Sequence, residues 1–132
     1  MTFRVRQISI SIDRSANEVY EFAVNPENLP KWASGLSGGI EQVDGQWVSE
    51  SPMGRVVVRF AERNPFGVLD HDVTLPNGET VTNPVRVIPN GSGSQITFTL
   101  FQLEGMSEAA FEADSGTVRA DLQTLKQLLE RR

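Results

Sequence analysis

The sequence predicts an α+β protein in which a seven-stranded antiparallel sheet wraps around a long C-terminal helix, with two short helices between strands 1 and 2. Three observations carry this. The run Ile8-Ser9-Ile10-Ser11-Ile12 opens the chain with the two-residue period of a half-buried strand. Turn-forming pairs and triplets then punctuate residues 40–103 at hairpin spacing. The closing segment returns to the period of an amphipathic helix. A sheet of that size with one long helix to cover it bends around the helix, and the bend leaves a hollow suited to a small molecule.

Each element has its own signal. In the first strand Phe3 and Val5 are out of phase with the isoleucines, while Arg4 and Arg6 share their side. This predicts either a bulge near Gln7 or an exposed first part. Ser15-Ala16-Asn17-Glu18 is a capping box that starts a short helix with Val19, Phe22 and Ala23 on one face. Asn25-Pro26 ends it and starts a second, with Trp32 near its end. Gly35 to Gly39 is loop. Asp44-Gly45 separates strands at 40–43 and 46–51, and Pro52-Met53-Gly54 leads into 55–63. Asn64-Pro65-Phe66-Gly67 turns the chain into 68–75, and Pro76-Asn77-Gly78 turns it into 80–88. Pro84 inside that strand implies a sheet edge or a bulge. The turn at 89–94 leads to the last strand, 95–103. Phe111, Val118, Leu122, Leu125 and Leu129 then define one helical face, capped by Ser107 with Glu108 and Glu112 in the first turns.

Composition excludes whole classes of function. With 132 residues, 39% hydrophobic and 22% charged, the chain reads as one domain over 1–132. A net charge of −5 and a pI near 4.8 argue against a nucleic-acid partner. No Lys/Arg run and no apolar stretch of about 20 residues supports membrane insertion. The lack of cysteine removes thiolate catalysis, disulfides and thiolate-bound zinc, and suits a reducing compartment. Met1 to Arg6 lacks the apolar core of a signal peptide, so a cytoplasmic location is expected and the Asn90-Gly91-Ser92 sequon is a chance match. The exposed edge hinted at by Pro84 leaves pairing into a homodimer open.

The run from Ile8 through Ser15-Ala16-Asn17-Glu18-Val19-Tyr20-Glu21-Phe22 to Asn25-Pro26-Glu27-Asn28-Leu29-Pro30-Lys31-Trp32 resembles the opening of the START/Bet v 1-like superfamily. Its bacterial members are often called polyketide cyclase/dehydrase-like or SRPBCC proteins. Asp121 to Glu130 is similar to the family's closing helix, so the resemblance spans essentially the whole chain. It implies a helix-grip fold around a lipophilic cavity. The family holds lipid and quinone binders, plant hormone receptors, aromatic cyclases and co-chaperones. No catalytic motif is common to them, so fold leaves the activity open.

His71, the only histidine, stands between Asp70 and Asp72. Strand alternation turns both carboxylates away from it and puts Leu69, Val73 and Leu75 on its side. It is therefore the candidate catalytic acid or base, or a hydrogen-bonding group for a ligand carbonyl; the alternative is a core histidine bonded to backbone. One imidazole without neighbouring ligands makes no metal site, and neither metal nor cofactor is expected. Gly35-Leu36-Ser37-Gly38-Gly39 matches the G-x-S-x-G pattern, but a helix precedes it and a strand follows, the reverse of a nucleophile elbow.

The candidate ligand-binding set is Trp32, Trp47, Met53, Leu69, His71, Val73, Arg86, Phe98, Phe111 and Ser115. The tryptophans and Met53 fall near loops that rim the hollow. Arg86 offers a cation for a carboxylate or enolate, as Arg59 could. Ser115 breaks the apolar stripe four residues after Phe111, which suggests that the first half of the helix borders a void. The partner these residues suit is a small hydrophobic or aromatic molecule. Readings as a cyclase/dehydratase-like enzyme using His71, or as a protein-interaction module, stand beside the binding role.

Overall fold

A computed structural model describes all 132 residues. Strand β1 (Val5–Ile12) pairs antiparallel with β8 (Gly93–Phe101) in unbroken register, from Val5 opposite Phe101 to Ile12 opposite Ser94. There is no bulge at Gln7. Ile8 and Ile12 are buried and Ile10 half-buried on the inner face, while Ser9, Ser11, Gln95 and Thr97 form a hydrogen-bonded ladder outside. Of the two expectations for the first residues, exposure holds: Phe3 and Val5 face solvent. Arg4 and Arg6 instead turn towards the C-terminal helix, for a reason given below.

The serine half of the capping box forms as expected. Ser15 Oγ accepts from the Glu18 amide at 3.2 Å and opens α1 (Ala16–Ala23), which buries Val19, Tyr20 and Ala23. Asn25 Oδ1 accepts from the Glu27 amide at 3.1 Å over a 3₁₀ turn, Pro26–Asn28, that runs into α2 (Leu29–Trp32). A second 3₁₀ turn, Ser34–Leu36, leads to the hairpins β2 (Glu41–Val43), β3 (Gln46–Ser51) and β4 (Gly54–Phe60).

The main correction concerns the sheet. Eight strands form rather than seven, because the run expected at 80–88 breaks at Pro84 into β6 (Thr80–Asn83) and β7 (Val85–Asn90). They belong to different sheets: a five-stranded one in the order β2-β3-β4-β5-β6, with β5 at His71–Thr74, and a three-stranded one in the order β1-β8-β7. Pro84 has no amide hydrogen to donate, and its carbonyl is taken by the Thr99 amide at 2.9 Å. The chain facing it divides likewise. Val87 N donates to Gly67 O at 2.9 Å and Leu69 N to Val85 O at 2.8 Å, whereas His71 onward pairs with β4 and β6. Gly67 has φ +72°, and a Cβ there would lie 2.0 Å from the Val87 carbonyl oxygen, so this approach requires glycine.

Asp70 fastens the break. Its Oδ1 accepts from the buried Val85 amide at 2.9 Å and from Arg86 Nε at 3.1 Å, and its Oδ2 from Arg86 Nη2 at 2.9 Å. The Arg86 guanidinium, helped by the Val85 amide, holds this carboxyl below its ordinary pKa against the opposing effect of burial.

Ser107 Oγ accepts from the Ala110 amide at 3.1 Å and caps α3 (Glu108–Glu130). The helix is attached in two ways. Its second half buries Leu122, Leu125 and Leu129, each worth about 1.5–3 kcal/mol of transfer free energy. Lys126 Nζ adds a bond to Ser11 O at 2.9 Å. The first half is attached through β1: the Arg4 and Arg6 guanidinium carbons sit 5.1 and 4.8 Å from the Phe111 ring centroid. Arg4 Nη1 reaches Glu108 Oε2 at 2.6 Å, and Arg6 Nη1 reaches Glu112 Oε2 at 2.8 Å and Ser115 Oγ at 3.1 Å. Exposed pairs of this kind contribute at most about 1 kcal/mol each. No helix is long and apolar enough to cross a membrane.

The two ends of the Asp70–Arg86 pair are unequal. Asp70→Ala strands the buried Val85 amide and is expected to cost about 1–3 kcal/mol. Arg86→Ala removes a half-exposed ion pair and is expected to cost less than about 1 kcal/mol. Urea unfolding of both variants at pH 7 measures the difference.

Candidate functional site

The recess that borders α3 follows the break between the sheets. Val81, Thr82 and Asn83 of β6 stand on one side of it, and Phe98, Leu100 and Phe101 of β8 on the other. Val73 and Leu75 continue the floor, Thr117 and Val118 of α3 form the roof, and the exposed Asp114 joins Met53, Leu103 and Met106 around the opening. The volume is about 370 Å³, within the range of small-molecule sites, and ten of the fourteen lining residues are hydrophobic. Methionines at the mouth are well suited to adapting to a varied apolar guest.

His71 sits behind this wall rather than in it. Its ring lies 5.2 Å from Phe60 and 6.3 Å from Phe98, centroid to centroid. Nδ1 is 3.1 Å from the Leu69 carbonyl oxygen, which can only accept, so Nδ1 is assigned the proton. Nε2 is then left as an acceptor towards Asn83 Nδ2 at 3.4 Å. Burial lowers the imidazole pKa; the Leu69 carbonyl and the Asp70 and Asp72 charges oppose that effect only in part. The ring is neutral at pH 7, and Asn83 links it to the recess.

The proposed ligand set scatters around this geometry. Met53, Val73 and Phe98 line the recess, and His71 touches both Asn83 and Phe98. Leu69 and Phe111 are core residues, 2% and 0% exposed. Ser115 is buried but bonded to Arg6, so the polar break in the stripe meets a guanidinium and not a void. Trp32 is buried near the junction of α2 and α3 with no partner for Nε1, and Trp47 lines a separate recess with Pro26 and Phe60. Neither tryptophan lines the recess under α3. Arg86 requires correction: it points outward, its side chain 56% exposed and paired with Asp70, because it alternates with the buried Val85 and Val87. Arg59 is exposed as well.

The ligand set left out eleven of the fourteen lining residues, among them Asn83, Leu100, Leu103, Met106, Asp114 and Val118. A usable signal existed in Asn83-Pro84, where a polar inner-face residue meets the point at which a strand must stop pairing.

A larger recess, about 630 Å³, lies on the outer side between α1 and the 63–67 turn. Only five of its twelve lining residues are hydrophobic, and the Glu21–Arg63 ion pair belongs to its wall. It lacks the apolar seat of the smaller recess, which is the better candidate despite its size.

Residues 4–130 match the family described as polyketide cyclase / dehydrase and lipid transport. No curated protein sequence matches the chain significantly. Among solved structures, XoxI from Bacillus cereus superposes with a TM-score of 0.74 at 16% identity, covering 95% of this chain and 94% of that one. Ara h 8.0201 gives 0.72 at 11% identity, with 99% and 100% coverage. DynU16, a protein of the dynemicin biosynthetic locus, gives 0.72 at 13% identity over 96% of this chain and 47% of its own, so this chain corresponds to about half of it. At such identities the likeness is one of fold, whereas the family match runs through both the β1–α2 opening and the closing helix. The chain belongs to the family of polyketide cyclase / dehydrase and lipid-transport proteins.

Proposed function

We propose that the protein binds a small lipophilic molecule, seated in the recess between β5, β6, β8 and the first half of α3, and that it does so in the cytoplasm. The observation that carries this is the recess itself: a mostly apolar, half-open hollow under the first half of α3, where Phe111 is the one large side chain buried and Arg4 and Arg6 add surface ion pairs. A lipophile entering it gains roughly 25 cal/mol for each Å² of apolar surface withdrawn from water. Family membership and the lack of cysteine agree with a soluble carrier or receptor in a reducing compartment.

A cyclase or dehydratase role would require His71 to exchange protons with substrate. His71 is not among the residues that line the recess, and its nitrogens face the Leu69 carbonyl and Asn83, which favours binding over that chemistry. Pairing of two chains into a homodimer is compatible with the seat but adds nothing to it.

Gently purified protein examined by native mass spectrometry is expected to carry, or to take up, one hydrophobic probe molecule per chain. Val118→Trp should fill the roof of the recess and weaken uptake by at least about tenfold while circular dichroism stays unchanged. Probe binding that ignores this substitution contradicts the assignment.

His71 supplies an independent check. Its folded pKa lies below the ordinary value of about 6.5. Below that pH the unfolded chain therefore takes up a proton that the folded chain refuses, so stability decreases as pH falls through that window. Denaturation between pH 7 and 5.5 should show this slope, and His71→Gln should flatten it. A folded-state value above 6.5 in an NMR titration would reopen the catalytic role.

A further inference from the structure

The charges around the recess select among lipophiles; the argument rests on the ligand seat proposed above. Of the fourteen lining residues only Asp114 carries a charge. It is exposed at the rim and takes part in none of the five ion pairs. Glu104 stands between the lining residues Leu103 and Met106, and Glu79 lies in the turn that joins β5 to β6; both are exposed.

The arginines of the neighbouring elements are directed elsewhere. Arg4 is held by Glu108 at 2.6 Å. Arg55 is exposed, alternates with the buried Val56, and faces Glu50 across the β3–β4 pair. Arg119 lies about 140° around α3 from Asp114. The recess is therefore an apolar seat whose one charged lining residue, Asp114, has no ion-pair partner, on a protein of net charge −5.

We infer that the ligand is a lipophilic cation: an apolar body in the recess, with an ammonium or comparable positive group at the rim against Asp114. The lining supports such a guest without a second charge. Asn83, whose Nδ2 already faces His71, keeps a neutral amide oxygen for a hydroxyl deeper in the molecule. A carboxylate ligand finds no cation and meets repulsion at the only opening described here. Because Asp114 is solvated, the cation remains hydrated on one side and escapes the penalty of a buried ion pair.

Three probes of equal chain length separate the cases: decyltrimethylammonium, 1-decanol and decanoate, titrated calorimetrically at low salt and below their aggregation thresholds. The ammonium is expected to bind about three- to fivefold more tightly than the alcohol, the gain of an exposed charge pair, and at least about tenfold more tightly than decanoate. Asp114→Asn should reduce the ammonium-to-alcohol ratio below about twofold, a ratio in which any change common to both probes cancels, and Asp114→Lys should favour decanoate. Asp114 is exposed on the helix surface, so both variants are expected to fold, which circular dichroism checks.

Decanoate binding as tightly as the ammonium, or a cation preference that survives Asp114→Asn, overturns the inference. Alcohol that binds with no preference for the cation removes the charge selection and keeps the seat. Failure of all three probes, the uncharged one included, removes the seat and the selection together.

Discussion

Burial of one face of α3 is the constraint on which the rest of this structure depends. Leu122, Leu125 and Leu129 are at most 1% exposed and pack with Ile8, Ile12, Val87 and Ile96 in one core cluster. Removing any one of these leucines would cost several times what a surface ion pair contributes. The second half of the helix is therefore fixed, and its axis sets where the first half must run. That first half carries no leucine, and Phe111 is the one large side chain it buries. Arg4 and Arg6 tie it to β1 through Glu108, Glu112, Ser115 and Phe111, and the recess lies between it and strands β5, β6 and β8.

The break at Pro84 sets the other wall. A strand continuous from 80 to 88 would carry β6 and β7 in one sheet and draw Asn83 and Phe98 into a common surface. The missing amide hydrogen and the Asp70 carboxylate bonded to Val85 and Arg86 together make the chain change sheets there. Recess and break are one feature, since the lining residues of β6 and β8 face each other across it. The same local chemistry explains the position of His71, which sits at the first residue of β5 after the crossing, beneath two aromatic rings and tied to the Leu69 carbonyl.

Much of the fold was legible because its signals are local. The capping box at Ser15, the Asn25-Pro26 junction, the Asp44-Gly45 turn and the Leu122–Leu129 stripe each specify a backbone geometry within a few residues. Pro84 was legible as an interruption, but whether a proline ends pairing, bulges or bends depends on what lies opposite, and that is 15 residues away at Thr99 and 14 away at Asp70. The out-of-phase start of β1 was likewise visible without its purpose, since Glu108, Glu112 and Ser115 are more than 100 residues distant. The site was less legible for the same reason. Val73 and Phe98 follow from alternation alone, and alternation through Val81, Val85 and Val87 also turns Arg86 outward; it entered the ligand set for its charge, and its partner Asp70 lies on another strand segment. Leu103 and Met106 lie in a loop whose course no periodicity describes.

The hollow under the first half of α3 and the larger outer groove compete as the place where a small molecule sits, and methyl-resolved NMR during addition of an uncharged lipophilic probe separates them. Shifts concentrated at Val73, Val81, Leu100, Leu103 and Val118 are the expected pattern. Shifts confined instead to Ala16, Val87 and Ile88 would place the molecule in the groove beside α1 and contradict the account.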